Sequence, residues 1–331
     1  MPFRHGRTIF VLLMLVMWGS TPPVWACDVC GCTFNTKRSE GNSVVGSTII
    51  TPTASTAGQH HGFLGVLIDH QGYDTIPAVH GNALSDAGHD IHDKRHEEFY
   101  TLAGGYGFSR NFDAYLSVPF VHRSSIQVED ANHLGRGEHV FGVGDLRLIG
   151  KYRFWEAGVS AALLAGVKAP TGKNSARDQS GAKFGPELQL GSGAWDLSTG
   201  LAVSRSFQQH WTLASAVQYT YRGEGAQDEK LGDVFRHDLG ISYALKPLGT
   251  HPNISVVLEV ETQWLNRDHS RDSDKVLDSG GTTVLISPGL SIDLTRSMAA
   301  FVGVPIPVHQ DLGGAHQKLG YEIISGVAWH F

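Results

Sequence analysis

Three thiols stand within six residues, in the run Cys27-Asp-Val-Cys30-Gly-Cys32, and they are the chain's only cysteines. Cys27 and Cys30 have the Cys-x-x-Cys spacing of a redox pair, whereas Cys30 and Cys32 are too close for an unstrained ordinary bridge. The competing chemistry is thiolate ligation of a soft metal such as Cu(I) or Zn, although one such cluster is too short for a complete zinc site. Covalent haem attachment would need histidine directly after Cys-x-x-Cys, and Gly31 stands there. Seven of the 18 histidines fall between His60 and His96, and His80, His89, His92 and His96 lie among Asp86, Asp90, Asp93, Glu97 and Glu98. Imidazole mixed with carboxylate suits Zn, Cu or Ni. On a helical turn His89, His92 and His96 would share one face, and protonation near their ordinary pKa would add charge as pH falls. The alternative is a solvated polar loop that binds metal only adventitiously.

A third set of charged residues is spread out and not clustered. Asp145, Arg147, Lys151 and Arg153 alternate with Leu146, Leu148, Tyr152 and Phe154. Arg236 and Asp238 alternate with Phe235, Leu239, Ile241 and Tyr243, and Glu259 and Glu261 with Ile254, Val256, Leu258, Val260 and Trp264. Alternation with period two is the mark of a strand with two unlike faces. If the apolar faces meet lipid, the charged positions point into a lumen. They then line a wet path for small polar or zwitterionic solutes, or fill the interior as mutually paired charges.

The elements that must hold these residues follow from the same pattern. Strands are expected near 61–70, 98–108, 112–122, 143–154, 158–169, 195–205, 211–222, 234–245, 253–265, 282–294, 297–306 and 319–331. Their connections alternate without a break between short turns, such as Ser109-Arg110-Asn111 and Thr295-Arg296, and long polar stretches at 71–97, 123–142, 170–194, 223–233, 266–281 and 307–318. A sandwich gives no reason for that order. An all-β, antiparallel transmembrane β-barrel of about 12 strands does, with short periplasmic turns and long extracellular loops. Phe112, Phe120, Tyr152, Phe154, Trp211, Tyr221 and Trp264 fall near strand ends, where interfacial girdles sit. The last strand alternates through Tyr321, Ile323, Val327 and Trp329 to Phe331, which resembles the signal read by the outer-membrane assembly machinery.

The N-terminus reads as an export signal: Arg4 and Arg7, an apolar run from Ile9 to Trp18, then small residues ending at Ala26. Cleavage before Cys27 leaves 24 basic against 32 acidic residues, a net charge of −8. Cys27 after Ala26 also resembles a lipoprotein acylation site. Residues 27–59, rich in Ser, Thr and Gly, read as a periplasmic Cys-containing segment, either a linker or a plug, and residues 60–331 as the barrel. No stretch beyond the signal approaches the about 20 apolar residues of a membrane-spanning helix, and the acidic balance offers no basic face for nucleic acid. Neither a Gly-x-Ser-x-Gly elbow nor a His-Glu-x-x-His motif is present, so no enzyme is read from the chain.

With the strands placed, Val143-Gly-Asp-Leu-Arg-Leu-Ile-Gly-Lys-Tyr-Arg-Phe154, Lys168-Ala-Pro-Thr-Gly172 and Leu190-Gly-Ser-Gly-Ala-Trp-Asp196 resemble the bacterial outer-membrane transporter family named for the meta-cleavage pathway of phenol degradation. The resemblance implies an outer-membrane barrel grouped with transporters, and it brings no catalytic residues. The expected function is passage of a small solute across the outer membrane, with the N-terminus in the periplasm. Two alternatives stay open. One is a metal-handling barrel for Cu or Zn that uses Cys27, Cys30 and Cys32 with His89, His92 and His96. The other is a structural barrel that docks a periplasmic redox partner.

Overall fold

A computed structural model describes residues 48–74, 94–126, 129–130, 133–134, 138–179, 181–185, 188–270, 279–313 and 317–331. Every barrel strand pairs antiparallel with its neighbours. β1 (Gly62–Tyr73), β2 (His96–Gly107) and β3 (Phe112–Ile126) follow in order, and a two-residue hairpin of β4 (Glu129–Asp130) and β5 (His133–Leu134) comes next. β3 then pairs along its length with both β6 (Glu138–Val143) and β7 (Leu146–Glu156). A meander continues through β8 (Ser160–Ala169), β9 (Asp196–Phe207), β10 (Trp211–Arg222), β11 (Val234–Ala244), β12 (Asn253–Leu265) and β13 (Gly281–Asp293). β13 in turn pairs with both β14 (Met298–Gly303) and β15 (Ile306–Leu312). β16 (Leu319–His330) pairs with β14 on one side and with β1 on the other, which closes the sheet.

The ring therefore has 12 strand positions, two of them broken in mid-course. Both breaks lie opposite a proline. The amide of Gly144 donates to the Pro119 carbonyl at 2.8 Å, and that of Val304 to the Pro288 carbonyl at 3.0 Å. In an antiparallel pair a residue's N–H and C=O point to the same side, so each proline fails to donate toward the strand that breaks. Strands expected at 143–154 and 297–306 thus begin or continue beyond the break. The stretch expected as a loop at 123–142 is partly a hairpin made by the ends of β3 and β6, and β15 occupies much of 307–318.

Burial alternates as lipid on one face and interior on the other require. Along β12, Ser255, Val257, Glu259, Glu261 and Gln263 are buried, while Ile254, Val256, Leu258 and Trp264 are exposed. The exposed apolar row runs around the outside, through Leu64, Val66, Leu102, Leu163, Leu239, Ile323 and Val327. Tyr152, Phe154, Tyr221 and Trp264 are likewise outward. None of the described helices is long and apolar enough to cross a membrane, which says nothing against crossing with strands. Leu258 stands near the middle of β12 on the outer face. Leu258→Arg is expected to cost about 2–4 kcal/mol, read by reversible folding into phosphatidylcholine vesicles. A cost near zero would mean that this face does not meet hydrocarbon.

Candidate functional site

The inward positions of the strands carry a dense set of charges. Arg236, fully buried, donates through Nε to Asp238 Oδ1 at 2.7 Å and through Nη2 to Glu261 Oε2 at 3.0 Å. Gln263 donates to Glu261 from one pleat further along β12. Lys168 Nζ bridges Asp145 Oδ2 at 3.2 Å and Asp196 Oδ2 at 2.7 Å. Asp145 also accepts the backbone amides of Gly172 and Ser192, which fastens both ends of the 170–194 connection to the wall. Arg153 donates to the Arg110 carbonyl at 2.9 Å and pairs with Glu156 at 3.2 Å, and Lys151 lies 4.0 Å from Asp113. Arg147 is half-buried near the rim. The residues read from the sequence as inward-facing are thus joined into pairs and triads by strand register. For example, Lys168 stands across from Asp196, and Asp113 across from Lys151.

Toward the long-loop end, Glu97 accepts from Arg123 Nε at 2.6 Å and from Lys94 Nζ at 2.5 Å. Beside this triad is an apolar cluster that strand periodicity alone did not reveal. Phe99, Val121, Ile126 and Val140 on the wall pack with Ala176, Phe184, Leu188 and Leu190 of the long connection between β8 and β9. Gln189 ties that connection together, donating to the carbonyls of Ala176 and Phe184 while accepting the Ala176 amide. Arg123 Nη1 donates to the Gln189 carbonyl at 2.5 Å. The one available signal was the spacing Phe184, Leu188, Leu190 inside an otherwise polar stretch.

The second feature is the segment before β1. Every residue from Thr48 to Ala57 is buried. The Glu259 carboxylate, six residues into β12, accepts three successive backbone amides: Ile49 at 3.1 Å, Ile50 at 3.0 Å and Thr51 at 2.7 Å. Arg236 Nη2 donates to the Ile50 carbonyl at 3.4 Å. Further along, the Ala54 amide donates to Ser204 Oγ at 3.1 Å and the Ala57 amide to Asp113 Oδ2 at 2.8 Å. Amides removed from water need acceptors, and β12, β9 and β3 supply them from the inner wall. Ile49 and Ile50 pack with Phe63, Leu67, Ala103, Tyr115, Val257, Ile324 and Ala328. Glycines give the segment its room: a Cβ on Gly240 would come within 2.8 Å of Thr48 and Thr51, and one on Gly107 within 1.8 Å of the Gly58 carbonyl oxygen.

Of the residues considered for metal, Cys27, Cys30, Cys32, His89 and His92 lie outside the described residues. His96 opens strand β2, in extended and not helical backbone, and its ring stacks on His70 at 5.5 Å. Among the described residues no three His, Cys, Asp or Glu side chains are grouped to hold a metal ion. Near the β10 end, Asp233 accepts the Arg222 backbone amide at 3.0 Å and the Tyr219 hydroxyl at 2.7 Å, with Lys230 at 3.3 Å. Partial burial pulls its pKa up, but the amide, the hydroxyl and the ammonium together hold the carboxyl below the ordinary range. The pin this carboxylate makes is therefore present at neutral pH and is lost only as pH falls through that lowered pKa.

The family model described as "Putative MetA-pathway of phenol degradation" matches residues 66–308. The chain belongs to this family. The COG4313 outer membrane channel from Pseudomonas putida F1 superposes with a TM-score of 0.62 at 14% identity, over 84% of this chain and 98% of that one. At that identity the likeness shows the fold, a bacterial outer-membrane β-barrel. KdgM porin (TM-score 0.41, 10% identity, 81% and 99% coverage) and the β domain of the Bordetella autotransporter BrkA (0.49, 9%, 82% and 100%) are more distant, and no argument rests on them. No curated protein matches the sequence. Neither the family nor the fold assigns a catalytic residue to this chain.

Glu259→Gln removes the charge that gathers the three amides, and hydrogen bonds to a charged group are worth about 1.5–3 kcal/mol each. A thiol placed at Thr53 in a background without Cys27, Cys30 and Cys32 is expected to react with a water-soluble maleimide at least tenfold faster with Glu259→Gln than with Glu259. Equal rates would show that the carboxylate does not hold the segment.

Proposed function

We propose that this outer-membrane barrel is a channel for a small polar or charged solute and that residues 48–57 form its internal constriction. The observation that carries the reading is the pairing of a closed 12-position barrel, lined by compensated charges, with a chain segment hydrogen-bonded to its inner wall at half height. Lys151, Arg153, Arg236, Asp238, Glu259 and Glu261 line the path, with Asp145 and Arg147 closer to the rim. Charges of both signs along one wall favour a solute that can exchange hydration for alternating partners. The apolar cluster of the 170–194 connection narrows the entrance.

The finer placement belongs to the same reading. Residues 1–26 are the export signal, the short turns and the N-terminus face the periplasm, and the long connections face outward. The terminal strand, ending at Phe331, presents its alternating aromatic pattern to the assembly machinery.

Planar-bilayer conductance tests the proposal on the full mature chain, a variant lacking residues 48–57, and Glu259→Gln. The expected result is small single-channel steps for the parent, several-fold larger steps for the deletion and an intermediate or noisier trace for Glu259→Gln. No steps from any of the three, with each shown to be folded by its heat-modifiable migration, would overturn the channel reading. Equal steps from all three would keep the channel and remove the constriction.

A further inference from the structure

We infer that the inward end of β10 is a binding site for a small carboxylate, with Arg222 as the residue that receives it. The inference rests on the channel reading and names the class of solute that the channel takes. Arg222 is 1% exposed, one of the largest fully buried side chains among the described residues. Among the described residues its Nε, Nη1 and Nη2 have no hydrogen-bond partner. Its backbone amide donates to Asp233.

This isolation stands out against the rest of the interior. Arg236 is matched by Asp238 and Glu261, Lys168 by Asp145 and Asp196, and Arg123 with Lys94 by Glu97. Asp196 stands directly across from Arg222 in the β9–β10 register, but its carboxylate is already taken by Lys168 and by the amide of Gly223. Elsewhere a buried cation can escape its cost by losing a proton, as lysine and histidine do. A guanidinium cannot, because it stays protonated throughout the accessible pH range. A buried, permanent charge with no acceptor among the described residues calls for one from outside, and the planar fork of five donors matches a carboxylate in bidentate geometry.

A second observation on the same strand points the same way. Gln218 lies four residues earlier on β10, on the same inward face, and its Nε2 is buried with no partner among the described residues. Four residues of strand span about 13 Å, so Arg222 at the long-loop end and Gln218 deeper in the wall are successive donors along one line of the interior. Arg222 also adjoins the seam between two long connections, where the Ala226 amide donates to the Ser192 carbonyl at 2.9 Å and the Gly223 amide to the Trp195 carbonyl at 3.1 Å. Opening that seam gives a solute its way to the guanidinium. An anion entering there meets Arg222 first and Gln218 next.

The experiment titrates benzoate, and neutral benzamide of the same shape, into the folded full-length barrel in detergent, using calorimetry on the parent, Arg222→Gln and Arg222→Lys. Thermal melting and bilayer conductance are measured on the same preparations. The expected result is saturable benzoate binding that weakens at least tenfold in Arg222→Gln and less in Arg222→Lys, with benzamide indifferent to all three. Arg222→Gln should melt no lower than the parent, since it removes a charge that the fold leaves uncompensated. Equal benzoate affinity in the parent and Arg222→Gln would overturn the site. So would a lower melting temperature for Arg222→Gln, because it would mean that the guanidinium is already compensated within the fold. Inorganic phosphate binding as tightly as benzoate would overturn the assignment to carboxylates. Conductance without benzoate binding removes the site and leaves the channel, whereas benzoate binding without conductance removes the channel and leaves the site.

Discussion

In the hydrocarbon of a membrane a peptide N–H has no water to donate to, and every other feature of this protein follows from how that demand is met. Strands satisfy it only if the sheet has no free edge. The ladder from β1 to β16 supplies the closing seam, and its register runs with one irregularity from Phe63 opposite His330 to Tyr73 opposite Leu319. Closure fixes which side chains face inward, because each strand has only two faces. It therefore decides that Arg236, Asp238, Glu259 and Glu261 share an enclosed space while Leu258 and Trp264 face outward.

An enclosed space crowded with charge would be costly if the charges were left alone, since effective desolvation costs several kcal/mol for each ion. The inner wall answers by cross-strand pairing and by recruiting the chain's own backbone. Among the described residues no cation pairs with the carboxylate of Glu259. It gathers three consecutive amides of the 48–57 segment, which is the arrangement that suits a carboxylate among peptide donors. The segment and the wall thus satisfy one another: the segment's amides would otherwise lack acceptors, and Glu259 would otherwise lack donors.

Most of the barrel was legible in the sequence because a two-sided strand writes its environment into every second residue. Lys151 and Arg153, or Glu259 and Glu261, could be assigned to the inside from their apolar neighbours alone, and their burial agrees. The strand breaks were less legible, since they arise from Pro119 and Pro288 on the partner strands and not from the residues that break. Arg222 was within reach: Trp211 and Tyr221 have the character of outward girdle residues, and the alternation that puts Tyr221 outside puts its neighbour inside. Its lack of a partner among the described residues was not legible, because that depends on Asp196 having been claimed by Lys168 across another strand pair. The fit of residues 48–57 inside the wall was hidden for a similar reason. Small residues such as Thr53, Ala54 and Ser55 carry no periodic signal, and Gly240, which leaves room for Thr48 and Thr51, lies far along the chain in another strand.

The segment's position also constrains the order in which the molecule can be built. Residues 48–57 precede the first strand, and that strand meets the last one to be synthesised, so the wall is not complete until some 270 residues have been delivered after the segment. Loop closure over such a distance is slow compared with hairpin formation between neighbours. The meander from β2 to β13 can therefore assemble as an open, curved sheet well before the ring shuts. During that interval Glu259 and Asp113 already stand on its concave side, able to collect the segment while the way in is wide. A segment arriving after the seam had formed would have to be drawn in through an end, so the timing of closure decides whether the interior is filled.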